Sequence, residues 1–200
     1  MSIQVPSGKS VVKYTYKDYL NWPDEERWEI IDGVPYSMSP APSVNHQRIS
    51  REIGRQFANY LLDKTCEVFD APFDVRLAVA DEDDTNIQTV VQPDIVVLGN
   101  KSKLDERGYR GAPALIVELV SPATAKKDLN DKFNLDERSG VKEYWVVFPL
   151  DQVLDVYVLD EDGKYQKAST YQSSDQIKIG ILPELEIGLS LVFQNRIIEE

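Results

Sequence analysis

Two carboxylates stand where apolar side chains are expected. Asp94 interrupts the run Val-Val-Gln-Pro-Asp-Ile-Val-Val-Leu at 90–98, and Glu118 interrupts Ala-Leu-Ile-Val-Glu-Leu-Val at 114–120. An ionised carboxylate in a buried strand is costly unless it is paired, hydrogen-bonded or metal-bound. Two such intrusions in neighbouring strands point to one shared site. A divalent cation, Mg2+ or Mn2+, would cancel their repulsion and occupy their lone pairs. Each residue also has a local explanation. Asp94 follows Pro93 and could cap a turn; Glu118 could face outward from an edge strand or pair with a core arginine. Their joint occurrence favours a metal site with Asp94 and Glu118 as its ligands.

A third feature follows Glu118. Asp128, Lys132 and Asp136 recur every four residues, which is one row of a helix, with Leu129 and Phe133 in the adjacent apolar row. The row is either a surface ladder of ion pairs, worth about 0.2–0.5 kcal/mol per pair, or a means of aiming Lys132 at the carboxylates. The acidic run at 81–84 lacks the glycine and distal glutamate of an EF-hand and reads as a solvated loop. One histidine, His46, and one cysteine, Cys66, exclude a closed structural zinc site and any intrachain disulfide framework.

The elements that must position these residues are legible in outline. Thr15 to Asp18 has capping-box spacing and predicts a short helix. Trp28–Ile31 and Val34–Met38 flank Asp32-Gly33, a hairpin signal. After the break at Pro40–Ser43, Ile49, Ile53, Phe57 and Leu61 form one stripe of a helix spanning 44–63. Arg48, Arg51 and Arg55 lie off the stripe and read as its solvated face. Strands are predicted at 66–69, 73–79, 90–98, 114–120, 141–148 and 153–159. The runs at 90–98 and 114–120 have the continuous β-branched character of central strands. A second helix is predicted over 123–139, with Gly140 to stop it, and Asp162-Gly163 marks another hairpin. The order predicts one domain, residues 1–200, of the α+β class (α/β-like), with a mixed central sheet flanked by helices.

Lys plus Arg is 22 and Asp plus Glu is 34, a formal net charge of −12. That balance argues against broad, nonspecific coating of nucleic acid, though not against a local basic rim. Such a rim could use Lys101, Lys103, Arg107 and Arg110 of the 99–111 connection, or Lys126-Lys127. Each of these alone reads as ordinary surface charge. The first ten residues lack an apolar signal core, and no apolar run reaches membrane-spanning length. A cytoplasmic location with no membrane association is expected.

The ordered series Glu29-x-x-Asp32-Gly33, Pro42 to His46 opening a helix, Pro93-Asp94, Val117-Glu118-Leu119-Val120-Ser121-Pro122, Asp128-x-x-x-Lys132 and Gly140-Val141-x-Glu143-Tyr144-Trp145 resembles the Uma-type family of restriction endonucleases, abundant in cyanobacteria. That family is itself similar to the PD-(D/E)XK nuclease superfamily. The resemblance runs from about Tyr14 to Ile187. It implies a restriction-endonuclease-like core preceded by the N-terminal helix and hairpin. Asp94 matches the first metal-binding aspartate and Glu118 the second acidic ligand. The simplest superfamily pattern has a lysine two positions after that acid, on the same strand face. Here that position is Val120, and the resemblance moves the lysine to Lys132. Glu29 and His46 match positions characteristic of the family near the start of the core, and either could orient water or complete the metal shell; equally, Glu29 could be a paired hairpin residue and His46 a helix cap. Two departures stand out. Asp136 replaces a tyrosine usual four residues after the helix lysine, and Phe148-Pro149 replaces an acidic residue before proline.

The leading expectation is a Mg2+- or Mn2+-dependent endonuclease cutting DNA, with a homodimer if both strands are cut. The alternative is a nuclease-fold protein that binds a partner without chemistry. A hydrolase of sugars or carboxylates using Asp94 and Glu118 as an acid–base pair is a third reading, but Trp22, Trp28 and Trp145 are too scattered for a sugar platform.

Overall fold

Short β-branched runs dominate the chain, and they assemble by pairing across long sequence distances. The computed structural model describes residues 12–194 apart from 24, 39–40 and 123–124. Met1–Ser10, Pro40 of the predicted break and Ala123 of the predicted helix start lie outside the described residues.

The chain opens with α1 (Tyr16–Tyr19), where the Thr15 amide donates to the Asp18 carboxylate at 2.8 Å. The hairpin β1 (Trp28–Ile31) and β2 (Val34–Ser37) turns at Asp32 and Gly33, whose φ values of 52° and 80° are those of the expected Asp-Gly turn. Helix α2 (Val44–Leu61) follows. Then come β3 (Glu67–Asp70), β4 (Val75–Arg76), β5 (Val90–Val91), β6 (Ile95–Leu98), β7 (Leu104–Asp105), β8 (Gly108–Arg110) and β9 (Leu115–Leu119). A π-helical segment (Lys127–Lys132) runs straight into α3 (Phe133–Ser139), which ends at Gly140 with φ 84°. The chain closes with β10 (Glu143–Phe148), β11 (Val153–Leu159), β12 (Tyr165–Gln172), β13 (Gln176–Ile179), β14 (Leu182–Gly188) and α4 (Leu189–Val192).

The α+β class and mixed pairing are as expected, but the strands divide over two six-stranded sheets. One has the order β2-β1-β5-β4-β8-β7 and the other β12-β11-β10-β9-β6-β3; β13 and β14 form a separate pair. β9 and β10 are parallel, as are β4 and β8; the other pairs are antiparallel. The predicted single strand 90–98 is in fact two, with β5 in the first sheet and β6 in the second. Pro93 has no N–H to give a central ladder, so the pairing stops there and the chain changes sheet. The predicted strand 73–79 shrinks to β4. The acidic loop is not merely solvated, because Asp84 pairs with the buried Arg76 at 2.6 Å.

The second sheet is buried on both faces. Ile95, Val97, Leu115, Val117, Trp145 and Val147 pack with Ile49, Ile53, Phe57 and Leu61 of α2. Val96, Leu98, Ile116, Tyr144 and Val146 pack with Leu135 of α3 and Ile31, Val75 and Val91 of the first sheet. Burying each large apolar side chain contributes about 1.5–3 kcal/mol. No helix among the described residues is long and apolar enough to cross a membrane.

Candidate active site

Strand alternation decides which way the carboxylates point. Ile116 faces the core shared by α3 and the first sheet, so Glu118, two residues on, faces the same way. β6 pairs with β9 through Ile95 and Val117, so Asp94, just before β6, comes level with Glu118. The Leu119 amide donates to Asp94 Oδ2 at 2.8 Å, which ties the aspartate to β9. Asp94 therefore sits at the seam where the chain leaves one sheet and enters the other.

Lys132 reaches the site from the end of the π-helical segment. Its Nζ lies 2.8 Å from Glu118 Oε1 and 2.8 Å from Glu29 Oε1. The surface ion-pair ladder is overturned: Asp128, Lys132 and Asp136 are 3%, 3% and 1% exposed. The core partner of Glu118 is this lysine, not an arginine. Lys132's second carboxylate is Glu29, brought in by β1 of the other sheet. Glu29 is fully buried, and donors surround it: Lys132 and the Gln92 amide (2.8 Å) on Oε1, Lys127 (2.6 Å) on Oε2. Its carboxylate is thus committed to these donors and not to a partner within the hairpin. His46 does not cap α2; Ser43 does, accepting from the His46 amide at 3.2 Å. The His46 ring turns inward, with Nε2 3.3 Å from Asp94 Oδ2 and a buried, unpartnered Nδ1.

The five residues expected from the sequence thus converge. Sequence reasoning missed the Gln92 amide and the anchoring of Lys127 on Glu29. It placed Lys127 only in a possible basic rim, because residues five apart do not share an α-helical row. Tyr144 also contributes, its hydroxyl donating to the Asp128 carbonyl at 3.3 Å beneath the π-helical segment.

The electrostatics are lopsided. The carboxyl groups of Glu29, Asp94, Glu118, Asp128 and Asp136 outnumber the ammonium groups of Lys127 and Lys132 and the imidazole of His46. Burial raises Glu118 well above the ordinary carboxylate range; Lys132 opposes this, but Asp128, Asp94 and Glu29 add to it. Burial acts the same way on Glu29, yet Lys132 and Lys127 overcome it and hold Glu29 low. Burial disfavours the Lys132 ammonium, and the carboxylates of Glu118, Glu29 and Asp128 more than restore it. Burial likewise opposes the His46 imidazolium, but Asp94 and the Leu119 backbone raise its pKa above 6.5. Asp136 is pushed up to about 8 by burial, and its Oδ1 has no partner.

This arrangement fits a hard divalent cation. Carboxyl oxygens in greater number than cationic partners are the donor type that suits Mg2+ or Mn2+. Among the described residues no three His, Cys, Asp or Glu side chains form a ready ligand set. An ion here would take Asp94 and Glu118 and fill its shell with backbone and water oxygens, the usual habit of Mg2+.

Comparison with known proteins identifies a family. The Uma2 model, described as "Putative restriction endonuclease", matches residues 16–191. The uncharacterized protein slr1290 of Synechocystis sp. (strain ATCC 27184 / PCC 6803 / Kazusa) is 28% identical over 181 residues, covering 89% of this chain and 88% of its own. A second protein of that organism, sll1609, is 28% identical over 123 residues, covering 60% and 65%. A crystal structure titled as "a putative nuclease belonging to DUF820" from Anabaena variabilis ATCC 29413 superposes with a TM-score of 0.70 at 18% identity, covering 90% of this chain and 97% of that one. At that identity the likeness is one of fold.

Proposed function

The chain belongs to the Uma2 family, and from that premise we propose that it is a divalent-metal-dependent endonuclease hydrolysing DNA phosphodiester bonds. The family description and the nuclease title of the structural neighbour support a nuclease-like function. The observation that carries the finer reading is the register of β6 and β9, whose Ile95–Val117 pair brings Asp94 level with Glu118, with Lys132 Nζ 2.8 Å from Glu118.

In this reading Asp94 and Glu118 hold Mg2+ or Mn2+. A metal bound there lowers the pKa of its water and offsets the charge that develops on phosphorus. Lys132 keeps a positive charge beside Glu118, where it can orient the attacking water or face the scissile phosphate. Glu29 holds Lys132 in that direction and keeps it charged. His46 fixes the Asp94 carboxylate together with the Leu119 amide. Scission of both strands calls for two such centres, so a homodimer belongs to the proposal, as does a cytoplasmic site of action.

The test is nicking of supercoiled plasmid with Mg2+ or Mn2+, alongside Asp94→Ala. Metal-dependent nicking by the wild type and none by the variant is the expected result. A wild type inert on duplex, nicked and single-stranded DNA with either metal overturns the reading and leaves a nuclease-fold binding protein.

A further inference from the structure

We propose that Lys127 is a second functional cation of this site, placed by the π-helical segment to contact a backbone phosphate of the bound nucleic acid. The inference rests on the reading of DNA as substrate.

Five residues separate Lys127 from Lys132. In an α-helix residues five apart point roughly 140° away from each other, and only one of the two could reach a given carboxylate. A π-helix bonds i to i+5 and, being wound more loosely, brings such residues towards one face. The segment Lys127–Lys132 is π-helical, and both ammonium groups meet Glu29, at 2.6 and 2.8 Å. A helical irregularity of this kind is uncommon, and it occurs often at functional sites.

The two lysines differ in access. The Lys132 side chain is 4% exposed, whereas that of Lys127 is 18% exposed. Lys127 is therefore the more open of the two to a phosphate oxygen arriving from solvent. Glu29 does not depend on it alone, because the Gln92 amide and Lys132 both remain on Oε1. A lysine ammonium is a point charge on a flexible stem and can turn from a carboxylate to a phosphate without rebuilding its surroundings. The competing role is that of a counter-ion to buried Glu29 and nothing more.

The experiment measures affinity of the full chain for a DNA duplex across a salt series without divalent metal, by fluorescence anisotropy. The wild type is compared with Lys127→Met, Lys127→Arg and Lys127→Gln, and melting temperatures are taken in parallel. Losing one phosphate contact flattens the dependence of log K on log salt by about 0.9. The expected result is that flattening in Lys127→Met and Lys127→Gln, with Lys127→Arg close to wild type. Lys127→Gln keeps an amide donor for Glu29, so it separates loss of charge from loss of fold should Lys127→Met unfold. A lowered melting temperature with an unchanged slope overturns the inference and leaves the nuclease reading standing. A wild type that binds no DNA in this series overturns the inference, and one that also binds none with Mn2+ added overturns both.

Discussion

Glu118 is an acid that its surroundings press to lose its charge. Burial and three neighbouring carboxylates raise its pKa, with Lys132 alone opposing. Glu118→Gln retains a carbonyl oxygen for Lys132 and removes that repulsion. The expected outcome is loss of metal-dependent nicking with a melting temperature equal to or above that of wild type. A variant that still nicks at the wild-type rate removes Glu118 from the ligand set. Asp136 supplies the pH dependence. Its pKa rises from 3.8 to about 8, chiefly through burial, so the native chain keeps a proton that the unfolded chain releases. Below about pH 4 both states hold that proton; through the window from about 4 to 8 native stability falls, by up to about 1.4 kcal/mol per pH unit. Asp136→Asn has no proton to lose. Thermal melts at pH 5 and pH 8 are expected to separate by less in this variant than in wild type. Equal separations would mean that Asp136 titrates alike in both states.

Two elements deliver catalytic candidates through their ends. Helix α2 begins at the site, and its first turn is held by Ser43, whose hydroxyl accepts from the His46 amide. Ser43→Ala removes that acceptor and is expected to cost about 1 kcal/mol, read as a lower urea midpoint with an unchanged m-value. Ser43→Asp supplies an equivalent acceptor and should recover most of the loss. If both variants match wild type, the cap does not hold the turn that carries His46. The π-helical segment acts at the other side of the site, with the Tyr144 hydroxyl on the Asp128 carbonyl as a fixed point beneath it. Pro93 does the same work for strands, since it ends β5 and frees Asp94 to meet β9.

The whole molecule is acidic, at −12, so the proposed DNA substrate would have to be held by local charge, with binding that weakens as salt rises. Its stability should also respond to the proposed metal. An ion that binds only the native state stabilises it by about 2.7 kcal/mol at a hundredfold excess over Kd. Mn2+ is therefore expected to raise the wild-type melting temperature by several degrees, and that of Asp94→Ala by much less. An equal rise in both would assign the ion to the general acidic surface. What the amino-acid sequence determined by itself is local. The Asp-Gly hairpin, the stripe of α2, the stop at Gly140 and the intrusion of Asp94 and Glu118 into apolar strands all have signals within a few residues. The family series added Lys132, Glu29 and His46. Only the tertiary structure decided that one apolar run serves two sheets, that Asp136 is buried rather than solvated, and that Glu29 meets a lysine 98 residues away. Such contacts depend on how sheets pack and where a helix changes its pitch. Spacing read at 3.6 or 2 residues per turn carries no trace of either.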